Sequence, residues 1–249
     1  MPSSSPIKIF VVTVRHFVDR HAHIENLAAK FGFDFQYVLK FDADSLSEAD
    51  MSSVSTHLSP KSASNVLKHI EAQRMFVDRS DSGNVALILE DDVVLFEDFF
   101  ERLDVVLARA NQLSPGFLVF LGGADNKIDK RFLLMSENEL VESPITTAEA
   151  YLVDRFGCEQ RLQWVKEHTL TKQADHQIKQ IDSDLGLRQY RVVKAMATQG
   201  SITGMFETAL DGSRAKRSVV YLKVKFKWNK LRRQALPRFL FRLGRFFAR

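Results

Sequence analysis

The chain has 249 residues, 45% hydrophobic and 27% charged, the composition of a soluble globular protein of one large domain or two small ones. Its single cysteine, Cys158, excludes an internal disulfide or a multi-cysteine zinc site and suits a reducing compartment. The net charge of +4 divides along the chain: residues 1–211 carry 22 Lys and Arg against all 31 acids, a net of −9, whereas residues 212–249 carry 13 Lys and Arg and no acid.

No apolar stretch approaches the roughly 20 residues of a membrane span, and the first residues lack a basic leader with a cleavage site. The expectation is a cytoplasmic protein. Ile7–Val14 reads as a first strand. Arg20–Phe31 reads as a helix with Ile24, Leu27, Ala28 and Phe31 on one face and Gly32 as its stop. Phe33–Leu39 is extended, and Asp42–His57, rich in Ser and Asp, reads as loop. Ser59-Pro60 opens a helix running to about Val77, with a Ser cap and Pro at the first helical position.

After a turn at residues 81–84, the apolar run Val85–Leu89 meets three consecutive carboxylates, Glu90, Asp91 and Asp92, and a second apolar run, Val93–Phe96, follows at once. The first run is short and partly β-branched, which fits a buried central strand. Alternation puts Glu90 and Asp92 on one face and Asp91 on the other. Acids flanked by core on both sides are costly unless a cation meets them, and two carboxylates on one face suit a hard ion such as Mn²⁺ or Mg²⁺. The plainer alternative is a solvated acidic turn.

Glu97 and Asp98 open the next helix, whose buried stripe is Phe99, Phe100, Leu103, Val106, Leu107 and Ala110. Ser114–Gly116 ends it. Phe117–Leu121 is a strand stopped by Gly122-Gly123, Ala124–Ser143 is polar and irregular, Ala148–Val153 is a strand, and a helix covers about Asp154–His168. Asp175 precedes a short helix, Gln177–Leu185, and Val192–Ala197 is the last core strand. Strands and helices that alternate in this way argue for an α/β fold with a mainly parallel sheet, in which ligands bind beyond the carboxyl ends of the strands.

Several segments resemble glycosyltransferase family 25, the lipopolysaccharide and lipooligosaccharide core glycosyltransferases. Leu89-Glu-Asp-Asp-Val-Val-Leu95 is similar to that family's acidic motif in its strand context. Leu58-Ser-Pro60 with Leu67-Lys-His-Ile70 is similar to its preceding helix, and Ala150-Tyr151 to its later strand. Asp175 and Gln199-Gly-Ser201 stand where its later acid and its Gln/Ser element are expected. The resemblance extends loosely from Ile7 to about Arg214. It departs at Glu149, where His is common, and at Lys68, where Ser is common. It implies a GT-A-like nucleotide-sugar-binding domain, a nucleotide-sugar donor (UDP-galactose is the most frequent), a Mn²⁺ or Mg²⁺ ion, inversion at the anomeric carbon and a lipid-linked saccharide acceptor.

Under this reading Asp92 is the first metal carboxylate. Glu90 shares the ion or accepts hydrogen bonds from ribose or sugar hydroxyls, and Asp91 is a candidate for the latter. His176 is a candidate third ligand, against the commoner surface histidine. Inverting transfer needs a base for the acceptor hydroxyl. Asp175 is one candidate, its alternative being a helix cap, and Glu149 is a second, while Asp154 reads as a cap. His69 is a candidate donor contact or a satisfied packing residue, and Cys158 a small core residue.

The tail beyond about residue 213 is expected as a separate basic segment. Between Val220 and Trp228 apolar residues alternate with Lys223, Lys225 and Lys227, which fits an edge strand or a helix with snorkelling lysines. After Pro237, helical spacing puts Arg238, Arg242, Arg245 and Arg249 opposite Phe239, Leu240, Leu243, Phe246 and Phe247, a pattern suited to an anionic membrane surface. The acidic body and interleaved Phe argue against nucleic acid. The expectation is a peripheral enzyme on the inner face of the cytoplasmic membrane. Its rivals are a metal-dependent nucleotide or phosphoester hydrolase and a non-catalytic membrane-docking module.

Overall fold

The computed structural model describes residues 7–79, 83–124, 126–127, 130–206 and 219–247. The chain folds as α/β around a seven-stranded sheet. Strand β1 (Lys8–Val12) leads through helix α1 (Val18–Phe31) to β2 (Gln36–Val38), which pairs parallel to it. Helix α2 (Glu48–Ser52) and helix α3 (Pro60–Val77) then return the chain to β3 (Val85–Glu90), on the other side of β1. A short strand β4 (Val93–Leu95), helix α4 (Phe99–Ala110) and β5 (Phe117–Phe120) follow. A 3₁₀ turn (Lys130–Leu134) precedes β6 (Leu140–Glu142) and β7 (Ala150–Asp154). Helices α5 (Arg155–Glu167) and α6 (Ala174–Leu185) lead to β8 (Arg188–Val192), β9 (Ala197–Gln199) and the single turn α7 (Gly200–Thr203).

The sheet order is β2-β1-β3-β7-β5-β8-β6. β7 runs antiparallel to both neighbours and β6 antiparallel to β8, so the other five strands share one direction. β7 fills the slot left between β3 and β5, with Leu87 opposite Leu152 and Val119 also opposite Leu152. Alternate residues of each strand enter two cores. Ile9, Val11, Leu87 and Leu89 pack with Ile24 of α1 and Phe99, Leu103 and Val106 of α4. Phe10, Val12, Ala86 and Ile88 pack with Ala72 and Phe76 of α3, Cys158 of α5 and Ile178 of α6. Each face thus buries a helical layer.

Several elements differ from the sequence reading. The loop expected over 42–57 contains α2, whose capping box joins Ser47 and Asp50. The irregular segment 124–143 contains the 3₁₀ turn and β6. The last core strand lies at 188–192 rather than 192–197. Val193–Met196 bends away, and β9 pairs antiparallel with β4 in a separate ribbon. Helix α6 begins at Ala174, so Asp175 stands inside its first turn and does not cap it. Asp154 does cap α5, accepting from the Gly157 N–H at 3.2 Å. Cys158 is fully buried, as a core residue should be.

The tail is helical where an edge strand was one of two readings: α8 (Val219–Lys230), a π-helical turn (Leu231–Ala235) and α9 (Leu236–Phe247). The boundary expected near residue 213 lies outside the described residues. So do Arg249 and the side chains of Arg242, Leu243, Arg245, Phe246 and Phe247. Among the described residues no helix is long and apolar enough to cross a membrane.

Candidate functional site

The chain leaves β1 towards β2 on one side and returns to β3 on the other. The strand order therefore reverses between β1 and β3, and the crevice beyond their carboxyl ends is the topological switch point of the sheet. The three acids stand there. The Asp91 N–H donates to the Val12 carbonyl at 3.0 Å, which carries the β1–β3 pairing one residue past β3.

Glu90 and Asp91 obey the strand alternation. Glu90 turns to the α3 side, where its carboxylate meets Asn65 Nδ2 at 3.4 Å and His69 Nε2 at 3.5 Å. Its second oxygen accepts from Gln199 Nε2 at 3.0 Å. Asp91 turns to the α1 side, accepting from the Thr13 hydroxyl at 2.7 Å and pairing with the Arg20 guanidinium at 2.6 Å. His21 Nε2 lies 2.9 Å from the same Thr13 hydroxyl. Asp92 sits in the turn after the strand. Its carboxylate accepts from the Ser201 N–H at 3.1 Å and its carbonyl from the Gly200 N–H at 2.6 Å. Residues 109 positions apart in sequence thus close on one another, and the β4–β9 ribbon is what brings them there.

His69 is fully buried within α3, its Nδ1 2.8 Å from the Tyr151 hydroxyl. It therefore links α3, β7 and Glu90. Glu149 precedes β7 and its backbone carbonyl accepts from the Glu90 N–H at 3.0 Å. Its Oε1 accepts from the Gly123 N–H at 2.8 Å, whereas its buried Oε2 completes no hydrogen bond. A side chain at Gly122 would collide with this carboxyl, and Gly123 takes a positive φ of 81°.

The charges are unevenly compensated. Arg20 neutralises Asp91, and His69 stands beside Glu90, but Asp92 and Glu149 have no ion-pair partner among the described contacts. Burial pushes the Asp92 carboxyl up to about 6, helped by the neighbouring Glu90 charge. Burial likewise lifts Glu149 to about 7, against the pull of Thr147 and the Gly123 amide. Asp91 is raised by burial in spite of Arg20. Glu90 behaves oppositely: burial works to raise it, but His69, Gln199 and Asn65 together hold it below the ordinary carboxylate range. The result is a buried anionic cluster whose Asp92 and Glu149 give up their protons reluctantly until positive charge arrives.

Asp175 and His176 are not gathered into this cluster. Both lie on the first turn of α6, where Asp175 Oδ1 accepts from the His176 N–H at 2.9 Å and His176 is exposed. The three-ligand set of Asp92, Glu90 and His176 is therefore not assembled. Among the described residues no group of three His, Cys, Asp or Glu side chains converges as a ready-made metal site. Two carboxylates and a ligand's own oxygens remain a sufficient donor set for Mg²⁺ or Mn²⁺, which keep non-protein oxygens in their shells.

Sequence reasoning missed Thr13, Arg20 and Asn65, whose pairings depend on strand order. It also missed the buried ion pair of Lys68 with Asp42 at 2.7 Å, where Lys68 additionally donates to the Lys40 carbonyl at 2.8 Å. This pair ties α3 to the loop after β2, next to Phe41, the one non-glycine residue with positive φ (70°) among the described residues. A buried lysine at a helical position was the available signal, since such a residue needs a partner.

No family model matches the sequence, and no curated protein is similar to it. Among solved structures, the galactosyltransferase LgtC in complex with donor and acceptor sugar analogs is similar over 92% of this chain and 96% of its own, with 10% identity and a TM-score of 0.45. The inositol-1-phosphate CTP transferase from T. maritima is similar over 88% of this chain and 77% of its own, with 10% identity and a TM-score of 0.37. Both likenesses are too distant to assign chemistry to this chain.

Proposed function

We propose that this protein is an inverting glycosyltransferase that moves a sugar, UDP-galactose being the first donor to test, from a nucleotide-sugar to a lipid-linked saccharide of the lipopolysaccharide core. The observation that carries the reading is the anionic cluster at the switch point, closed by Gln199–Ser201 and left without enough positive charge of its own. A nucleoside diphosphate cannot supply that charge by itself, but one that arrives with a divalent cation can. A bound Mn²⁺ or Mg²⁺ would neutralise the diphosphate leaving group.

Asp92 and Glu90 are the residues that would hold the ion, Asp92 first because nothing else neutralises it. Gln199 holds one oxygen of Glu90, and the Ser201 N–H holds the Asp92 carboxylate. Asp91, bound to Thr13 and Arg20, fixes the end of β3 against β1. The base that takes the acceptor proton is Glu149. A carboxyl lifted to about 7 beside the acidic cluster is matched to accept a proton near neutrality. Asp175, part-exposed on α6, is the weaker candidate.

Calorimetric titration of UDP-galactose and other nucleotide-sugars with and without Mn²⁺, followed by a search for slow donor hydrolysis, tests the reading. Donor and metal should bind together. Phosphate release from simple phosphoesters would make the protein a hydrolase, and absence of both binding and turnover would make it a docking module. For the base, Glu149→Gln should lower turnover about a hundredfold or more while donor affinity changes little. The same split in Asp175→Asn instead would move the role to α6.

A further inference from the structure

The C-terminal helices are built inside out for a segment that packs on its own protein. At α-helical spacing Val224, Trp228 and Leu231 fall within about 60° of one another, with Lys225 on one flank and Lys227 on the other. That apolar face points to solvent: the three side chains are 61%, 60% and 51% exposed. The body-side face of the arm carries a polar anchor. Gln234 is buried, and its Nε2 donates to the Asn126 carbonyl at 3.1 Å and, more weakly, towards Gly123 O at 3.4 Å. Arg238 donates to the Val193 carbonyl at 3.2 Å, and the Lys230 ammonium sits 4.5 Å from the centre of the Phe96 ring.

The π-turn keeps the two faces in register. Just before Pro237, which has no N–H, the Leu236 N–H reaches the Leu231 carbonyl five residues back. The wider turn sets the helix back by roughly one residue's rotation, about 100°. Leu236, Phe239 and Leu240 (44%, 60% and 56% exposed) therefore prolong the outward apolar face while Gln234 and Arg238 stay on the body.

We infer that this arm is a docking surface for an anionic lipid leaflet. Two observations select that occupant. Residues 212–249 hold 13 Lys and Arg and no acid, so the surface complements negative charge. The exposed stripe holds Trp228 flanked by Lys225 and Lys227, with Phe239 further along it, the arrangement that lets rings enter the headgroup boundary while ammonium groups stay at it. A second copy could meet the lysines with the net −9 of its residues 1–211, but pairing stripe to stripe would set two acid-free basic arms against each other. The arm lies over Gly123, Asn126 and Val193, so a leaflet docked on it runs beside the same sheet rim that carries the acidic cluster. The inference stands whether or not that cluster transfers sugars.

Full-length protein is sedimented with vesicles of phosphatidylcholine containing about one-third phosphatidylglycerol, and with phosphatidylcholine alone. Wild type should pellet with the anionic vesicles and be released by salt. Trp228→Ser, Phe239→Ser and Leu240→Ser combined should weaken that partition about tenfold or more at unchanged melting temperature. Bromine-labelled acyl chains should quench wild-type tryptophan fluorescence at Trp228, since Trp164 is buried; this readout needs no variant. Absence of partition and quenching overturns the inference. So does equal partition of variant and wild type, or a concentration-dependent dimer that the triple variant abolishes in place of vesicle binding.

Discussion

Asp92 and Glu149 are alike in being buried carboxyls whose protons are held too tightly for their surroundings, and that has a measurable sign. A folded-state pKa raised above the unfolded value favours the folded form while the group is protonated. The contribution is fully present below about pH 4 and is lost as pH rises through about 6 for Asp92 and about 7 for Glu149. In chelator, the wild-type melting temperature should therefore decline across that window by more than it does in Asp92→Asn or Glu149→Gln, as differential scanning calorimetry would show. Stabilisation by Mn²⁺ should run the other way, largest above pH 7 and fading below 6 as Asp92 takes up its proton. A pH-independent shift would place the ion elsewhere. Asp92→Asn should keep an acceptor for the Ser201 N–H and remain folded, yet lose transfer by about a hundredfold or more. Undiminished turnover by the folded variant would remove Asp92 from the site. At this scale the sequence was most legible: three acids between apolar runs marked the candidate site. The resemblance supplied Gln199 and Ser201, and only the fold supplied Thr13, Arg20 and Asn65 as their neighbours.

Among the described helices, α7 is the shortest, at four residues, and it is closely constrained. Its Gly200 approaches the Asp92 backbone so closely that an added Cβ would stand 2.7 Å from the Asp92 carbonyl oxygen and 2.7 Å from the Phe206 ring. Gly200→Ala should push the Ser201 N–H off the Asp92 carboxylate. We expect weaker Mn²⁺-dependent donor binding with a stability loss of about 1–3 kcal/mol, read by calorimetry and urea unfolding. The helices α3 and α4 and the apolar strands β3 and β5 were readable because periodicity or an unbroken apolar run agrees with the turn residues that bound them. β4 and β9 were not, because three-residue strands carry almost no periodic signal and exist only through each other. The helical start at Ala174 was hidden by Asp175, which looks like a cap but spends its side chain on its own neighbour. The tail's alternation of Lys and apolar residues fits both periods over a short window. Long-range hydrogen bonds from Gln234 and Arg238 accompany the helical outcome.

Over the whole molecule, the order β2-β1-β3-β7-β5-β8-β6 has a consequence in time. The two sides of the sheet, β2-β1-β3 and β5-β8-β6, meet only through β7, which runs from Ala150 to Asp154. A nascent chain that has emerged as far as β5 holds β3 and β5 with facing edges open and apolar residues on both. The fold cannot close until the ribosome has delivered residue 154. Stalling synthesis just before Glu149 should leave a species that pulse proteolysis finds unprotected and that aggregates on release, whereas chains carried past Val192, which also add β8, should be protected. Protection in the shorter chains would mean that β3 and β5 find another partner while they wait. The strand that joins the two sides is thus made after both of its neighbours, and Glu149 and Tyr151 arrive with it, ahead of β8 and of the Gln199 and Ser201 contacts that close the site.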